Sequence, residues 1–592
     1  MPAAERKKTD KMTAGKVFYL LPGIILVTIW PLLMHRDTVR TWLENVPWYP
    51  DRAYASDFFL HIKSRVFLML AVWMLTAVIV CLVRLHREKA PVMSGRGKGM
   101  LVLTGLYLFL TVLSGLLSPH RFFSFAGFTE SYETVPVIIG YGITFLYAMF
   151  ILKEDRVREI LSSFFILGAG LMGALGTGQM LGWDFWLSLP GRWLIYGPAA
   201  AREIQSAGET GMTAGRKVYL SMYNPNYAAV YLLIVLPLCI AILYRDIQRT
   251  RRGKRDMVKM VWDVLTVAML MISLFGTGSK TAWPAAAILC IMTVCLWQCS
   301  WRRKCGVLLA LGVLAAISTG TASFLSGQNI IGGVLKNAFP RKMNYRLKTV
   351  ELNHDRINII YREKTYQLQI LRDGNKAALQ VLDADGQLTK LPKALGIETF
   401  RDEQDLHVIM IHRNNPWHFV MREDDGIFHF INMAGREDVP VRAEPVFGKG
   451  YERAFTNRMY IWGLTARYLP GALLTGYGPE SFAFIFPQND YVMKSNLGQT
   501  AFSQAISRPH SLFLQIWMNS GALALVCMLA LIGLFGGRML ECRRVSWGPF
   551  VFSAFLSVTA FLLMGLLNDS MVAVTPLICL IAGMGMAAAG DM

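Results

Sequence analysis

The sequence predicts a polytopic α-helical membrane protein with a β-rich insertion ahead of its last helices. The chain has 592 residues, is 54% hydrophobic and has a mean hydropathy of +0.38. Its apolar residues come in blocks of about 20, the length that spans a bilayer core of roughly 30 Å. The exception is a long polar stretch from about Ser326 to Arg508. Apolar–polar alternation there, in Tyr366-Gln367-Leu368-Gln369-Ile370, marks strands rather than spans.

The apolar blocks fall at about 17–34, 66–83, 100–117, 135–152, 160–181, 218–244, 258–276, 281–299, 305–325, 512–536, 548–567 and 571–590. That pattern predicts about twelve transmembrane helices, nine in 1–325 and three in 512–592. The formal charge of +20 would suggest nucleic acid in a soluble protein. Here the basic clusters alternate with the spans, and Arg251-Arg252-Gly253-Lys254-Arg255 is the densest. The positive-inside rule therefore accounts for the charge and places both termini in the cytoplasm. The Arg6-Lys7-Lys8 start before an apolar run resembles a signal peptide, but no small-x-small cleavage site follows, so the first helix reads as retained.

The large loop, 326–511, is expected outside the cytoplasm, and none of the nine cysteines falls in its polar part. No disulfide framework is expected there. Asp-Gly pairs at Asp373-Gly374, Asp385-Gly386 and Asp425-Gly426 separate apolar runs as hairpin turns do, which assigns a β-rich insertion over 345–448. After it, 457–469 has helical periodicity, with Met459, Trp462, Ala466 and Leu469 on one side and Arg458 and Arg467 flanking them. It reads as a helix lying along the membrane surface.

The stretch from Thr475 to Gly521 draws the chemistry together. It begins Thr475-Gly476-Tyr477-Gly478-Pro479-Glu480 and closes Arg508-Pro509-His510-Ser511 before the apolar run that starts at Leu512. Pro509 read in a first helical turn puts Arg508 and His510 where a membrane helix meets water. Other features are set aside. Asp383-Ala384-Asp385 precedes Gly386 and reads as a hairpin turn, not a metal-binding pair. His407, His412, His418 and His429 lack ligand spacing with cysteine or paired carboxylates. Gly276-Thr277-Gly278-Ser279-Lys280 lacks the spacing of a nucleotide-binding phosphate loop.

Taken in order, Asn224-Pro225-Asn226, Gly278-Ser279-Lys280, Arg458 with Trp462, Gly476-Tyr477-Gly478-Pro479 and Arg508-Pro509-His510-Ser511 form a set. This set resembles the O-antigen ligase and polymerase superfamily of membrane glycosyltransferases, over about 100–590. The resemblance implies a helical membrane fold of the GT-C type and a bacterial plasma-membrane location. It implies transfer of a glycan from an undecaprenyl-diphosphate carrier to an acceptor hydroxyl outside the membrane, with no metal and no cofactor.

Carried over residue by residue, the resemblance implies Arg216, Lys280, Arg458 and Arg508 around the diphosphate and His510 as general base. The partners it implies are the carrier-linked glycan, an acceptor glycan or envelope polymer, and membrane lipids. Two positions depart from the family pattern: Lys280 stands where Arg is usual, and Ser511 where Asn is usual. Lysine offers a point charge where arginine offers a planar fork. The chemistry agrees, because fixed cations stabilise charge developing on a departing diphosphate and a neutral imidazole can take a proton from an attacking hydroxyl. Direct displacement inverts the anomeric carbon. Competing readings are a polymerase of lipid-linked repeat units, a transporter of such glycans, and a sensor. A transporter predicts charges in mid-span and two similar halves, and a sensor a cytoplasmic output domain; the sequence has few of the first and neither of the others.

Overall fold

The structure is a computed structural model. It describes residues 14–89, 94–206, 217–251, 257–296, 300–306, 340–373, 376–402, 405–498, 502–545 and 548–590, with isolated residues between 309 and 338. Among the described residues six helices are long and apolar enough to cross a membrane: Leu60–Arg87, Gly95–Leu117, Asp155–Met180, Pro225–Thr250, Met257–Gly276 and Ala522–Arg543. Five shorter apolar helices, Val17–Leu32, Val135–Ile151, Ala282–Leu296, Pro549–Gly565 and Thr575–Ala588, complete the set. By length and composition this is a multi-pass membrane protein. The ninth expected block, 305–325, lies almost wholly outside the described residues.

Close helix packing follows from small residues. The helix Asp155–Met180 packs along Met257–Gly276. A Cβ on Gly170 would come within 2.8 Å of Thr266 Oγ1, and one on Gly176 within 2.4 Å of Ser273 Oγ. Lipid tails are as apolar as leucine, so such helices gain their affinity from close contact rather than from burial.

Two apolar blocks are interrupted where the sequence reads as continuous. In 218–244 the helix starts only at Pro225. The backbone N–H groups of Tyr219 and Leu220 instead donate to Gln179 Oε1, at 3.1 and 2.8 Å. In 512–536 the helix Leu512–Ser520 ends at Gly521, whose φ is +99°, and a second helix runs over Ala522–Val545. A break at this depth leaves carbonyls without intrahelical partners. They find them in the Gly476–Gly478 segment. Tyr477 N–H donates to Met518 O at 2.7 Å and Gly478 N–H to Asn519 O at 3.1 Å, while Ser114 Oγ donates to Asn519 O at 2.6 Å. The approach requires glycine, because a Cβ on Gly476 would lie 2.3 Å from the Asn519 carbonyl carbon.

The polar region holds nine strands in two antiparallel meanders. One sheet has four strands, β1 (Leu347–Asn353), β2 (Arg356–Tyr361), β3 (Lys364–Asp373) and β4 (Lys376–Leu382), in sequence order. The other has five, β5 (Leu395–Arg401), β6 (Leu406–His412), β7 (Asn415–Met421), β8 (Phe428–Ile431) and β9 (Glu437–Asp438), also in order. Alternate residues such as Ile357, Ile359, Val408, Met410, Trp417 and Phe419 form one shared core. The Asp383 carboxylate accepts from Asp385 N–H and Gln387 N–H, and Gly386 has φ +76°, so this aspartate shapes a turn.

The β region is tied to the chain that follows it. Tyr491, Val492 and Phe502 enter its core. Ser495 Oγ meets His412 Nδ1 at 2.8 Å and accepts from Trp417 Nε1 at 3.2 Å. Burial pushes the His412 imidazole down to about 4.

Candidate functional site

The loop before Leu512 is not the first turn of a helix. Ser511 is the N-cap residue, Pro509 lies outside the helix, and His510 has φ +53°, a left-handed conformation rare for residues with a Cβ. That turn aims the imidazole back at the connection between the helices Pro549–Gly565 and Thr575–Ala588. His510 Nδ1 lies 3.0 Å from Asp569 Oδ2, and Ser511 N–H donates to Asp569 Oδ1 at 3.1 Å. One carboxylate therefore holds both the ring and the start of the helix. A carboxylate only accepts, so a neutral His510 in this contact would carry its proton on Nδ1 and leave Nε2 unprotonated. The Asp569 side chain is 2% exposed and that of His510 is 45% exposed.

Asp569 also ties in the guanidiniums. Its charge acts on both Arg458 and Arg508. Arg458 sits at the start of the helix Ala454–Thr465, directly after Phe455, Thr456 and Asn457, which all have positive φ. Its Nη1 donates to Phe455 O at 3.1 Å, while its buried Nε has no hydrogen-bond partner among the described residues. Burial lowers the Arg458 pKa, opposed by the charge of Asp569. Four residues on, Trp462 Nε1 donates to Pro509 O at 3.0 Å and locks this helix to the His510 loop. Tyr460, Ile461 and Leu464 are buried, while Met459, Trp462, Ala466 and Leu469 are half-buried. The helix stops at Thr465, earlier than the periodicity of 457–469 suggests.

Arg508 is turned inward and is 8% exposed. Its Nη1 donates to Tyr227 Oη and its Nη2 to Glu130 O. Around it lie the carboxylates of Asp569, Glu480 and Glu133. Tyr227 stands two residues beyond Asn224-Pro225, and Asn224 Oδ1 accepts from the N–H groups of Asn226 and Tyr227, at 2.9 and 3.1 Å. Asn226 Oδ1 in turn accepts from Ser279 Oγ at 2.9 Å. Hydrogen bonds thus connect the Gly276–Lys280 turn, the Asn-Pro-Asn element and the Arg508 loop. Lys280 itself is exposed and forms no ion pair among the described residues. Arg216 lies outside the described residues.

Behind His510 the polar layer closes on Glu133. It accepts from Tyr141 Oη at 2.6 Å, Gln515 Nε2 at 2.8 Å and Ser570 Oγ at 2.6 Å. Burial raises its pKa. A cavity of about 190 Å³ opens next to this layer, with Glu133 and Gln515 on its polar side and Ile138, Leu512, Ile516 and Phe561 among its apolar walls.

Asp569 thus contacts His510 and its charge reaches Arg458 and Arg508, while side-chain hydrogen bonds link the Gly276–Lys280 turn to the Arg508 loop. The structure adds Asp569, which no motif in the sequence singles out. The available signal was an acid next to Asn568 between two apolar blocks. Comparisons with protein-family models, curated proteins and solved structures return no match to this chain.

Proposed function

We propose that this protein transfers a glycan from an undecaprenyl-diphosphate carrier to an acceptor hydroxyl at the outer face of the plasma membrane. The observation that carries the reading is the His510–Asp569 pair beside the partly unsatisfied guanidinium of Arg458. In this reading His510 Nε2 takes the proton of the attacking hydroxyl as its oxygen bonds to the anomeric carbon. The bond to the carrier oxygen breaks, and the electron pair leaves with the diphosphate. Asp569 stabilises the imidazolium that forms, and Arg458, with Lys280 and Arg216, neutralises charge on the leaving group. The displacement inverts the anomeric centre and calls for no metal.

Arg508 has both terminal nitrogens occupied inside the protein, so its part in this reading is to hold the loop and the local field. The apolar cavity beside Glu133 suits a hydrocarbon chain. About twelve spans with both termini cytoplasmic would put the β region and His510 outside; cysteine labelling from either side of the membrane checks this. A polymerase that uses the carrier as both donor and acceptor fits the same residues. A transporter of lipid-linked glycan is the reading of another class, and it predicts carrier movement without bond cleavage.

The decisive experiment supplies purified protein in lipid with defined undecaprenyl-diphosphate glycans and one acceptor at a time. The reading expects product with an inverted linkage, and loss of product in His510→Ala. Carrier left intact with every acceptor and with water would sink it.

A further inference from the structure

We infer that Glu480 is a positioning residue, a clasp that holds the Glu130–Glu133 turn in the shape that fixes Arg508 and so presents His510. The inference rests on the transferase reading for its turnover assay and on geometry for the rest. Glu480 follows the Gly476–Pro479 segment directly and has φ +64°. Its Oε1 accepts from Ser131 Oγ at 2.7 Å and from Glu133 N–H at 2.5 Å. Those two bonds hold a turn that has little reason to persist alone. Glu130 has φ +68° and Tyr132 φ +58°, strained conformations that persist only where the surroundings impose them.

The turn is what grips Arg508. Glu130 O accepts from Arg508 Nη2, and the Glu130 carboxylate accepts from Tyr223 Oη at 2.6 Å. Tyr227, four residues beyond Tyr223 and in the first turn of the helix from Pro225, takes the other terminal nitrogen of Arg508. Two residues after Arg508 stands His510. The path from Glu480 to the base is thus two hydrogen bonds into the turn, one from the turn to the Arg508 guanidinium, and two peptide links. The ionisable groups facing Glu480 are Arg508, Glu133 and Tyr132. Desolvation pushes its carboxyl up to about 7. Protonated or not, Oε1 remains an acceptor for both bonds, so the clasp depends on shape more than on charge.

The test compares Glu480→Ala, Glu480→Gln and Ser131→Ala in full-length protein in lipid, with two readouts. Turnover of undecaprenyl-diphosphate glycan should fall at least ~10-fold in kcat for Glu480→Ala, with KM for the carrier within ~2-fold, as misplacement of a reacting group predicts. Glu480→Gln, which keeps an acceptor, should recover to within ~3-fold of the unaltered protein. The second readout needs no activity: the rate at which diethyl pyrocarbonate modifies His510, read by peptide mass spectrometry. It should change severalfold in Glu480→Ala, partly in Ser131→Ala and little in Glu480→Gln. Ser131→Ala removes one of the two bonds and leaves the carboxylate, so it covers the case of a Glu480→Ala protein that does not fold. Unchanged turnover and labelling in Glu480→Ala and Ser131→Ala overturn the clasp. Glu480→Gln as impaired as Glu480→Ala overturns it in favour of a role for the charge. Unaltered protein that consumes no carrier sinks the transferase reading, and labelling alone then decides Glu480.

Discussion

Two histidine–carboxylate pairs in this molecule have similar contact distances and opposite arrangements. In the loop before Leu512, His510 meets Asp569 at 3.0 Å; on the outer face of the five-stranded sheet, His407 Nε2 meets Asp402 Oδ2 at 2.8 Å. At the first pair the acid is covered and the base open, with side chains 2% and 45% exposed. At the second the acid is 53% exposed and the base 13%. His407 is also bonded through Nδ1 to His418 at 2.9 Å and stacked on Phe400 with ring centroids 4.4 Å apart. Both of its nitrogens are committed. A base needs a free nitrogen and a fixed one, and of these two histidines it is His510 that has that division. Contact distance alone does not separate the proposed base from a histidine held on both sides. What distinguishes them is which partner faces water.

The sharpest way to break this contrast is His510→Ala, expected to lower glycan transfer by about 10²–10⁴, the usual worth of a general base. A chromatographic assay of carrier-linked glycan in folded protein checks it. Asp569→Asn should follow with a loss of order 10–100-fold, because the amide no longer stabilises the imidazolium yet still fills the space. Product formation across a pH series reads this loss. Arg458→Ala should lower transfer by about 10-fold or more, with Arg458→Lys between, since a point charge replaces a fork. Initial rates at several carrier concentrations separate binding from turnover.

The β region should respond to acid. His412 is held neutral, with its pKa pushed down from 6.5 to about 4 by burial. The unfolded chain binds the proton that the folded chain refuses, so stability falls as pH drops from about 6.5 towards 4. Hydrogen exchange over β6 and β7 should quicken in that window, and His412→Gln should flatten the dependence. The smallest effect belongs to His407→Ala with His418→Ala, which should leave transfer within ~2-fold of the unaltered protein, as surface changes away from a site do. A large loss of turnover in the double variant would place the sheet face in the reaction and dissolve the contrast.

The helices were largely legible because lipid demands long apolar runs, and the chain supplies them at regular spacing. The strand Asn415–Met421 was harder to read. Its hairpin turns through Arg413 and Asn414, with φ of +52° and +65° and no glycine to announce it. Pro416 stands near its start, where a missing N–H is tolerated. The break at Gly521 was signalled only weakly, by Asn519-Ser520-Gly521 inside a largely apolar block, and the segment that pairs with it lies some 40 residues upstream at Gly476–Gly478. Of the residues in the proposed site, His510, Arg458 and Lys280 were candidates from their order along the chain. Asp569 was not, because its partner is 59 positions away and only the fold brings them together.

The interruption at Gly521 also bears on how the molecule is assembled. Neither the exposed carbonyls of Met518 and Asn519 nor the N–H groups of Tyr477 and Gly478 can rest in hydrocarbon unpaired. They must meet before lipid closes around them. The loop holding His510 runs between these two segments, so their pairing closes it at both ends. A chain with that pairing spoiled would be expected to stall during membrane integration, before any question of chemistry arises.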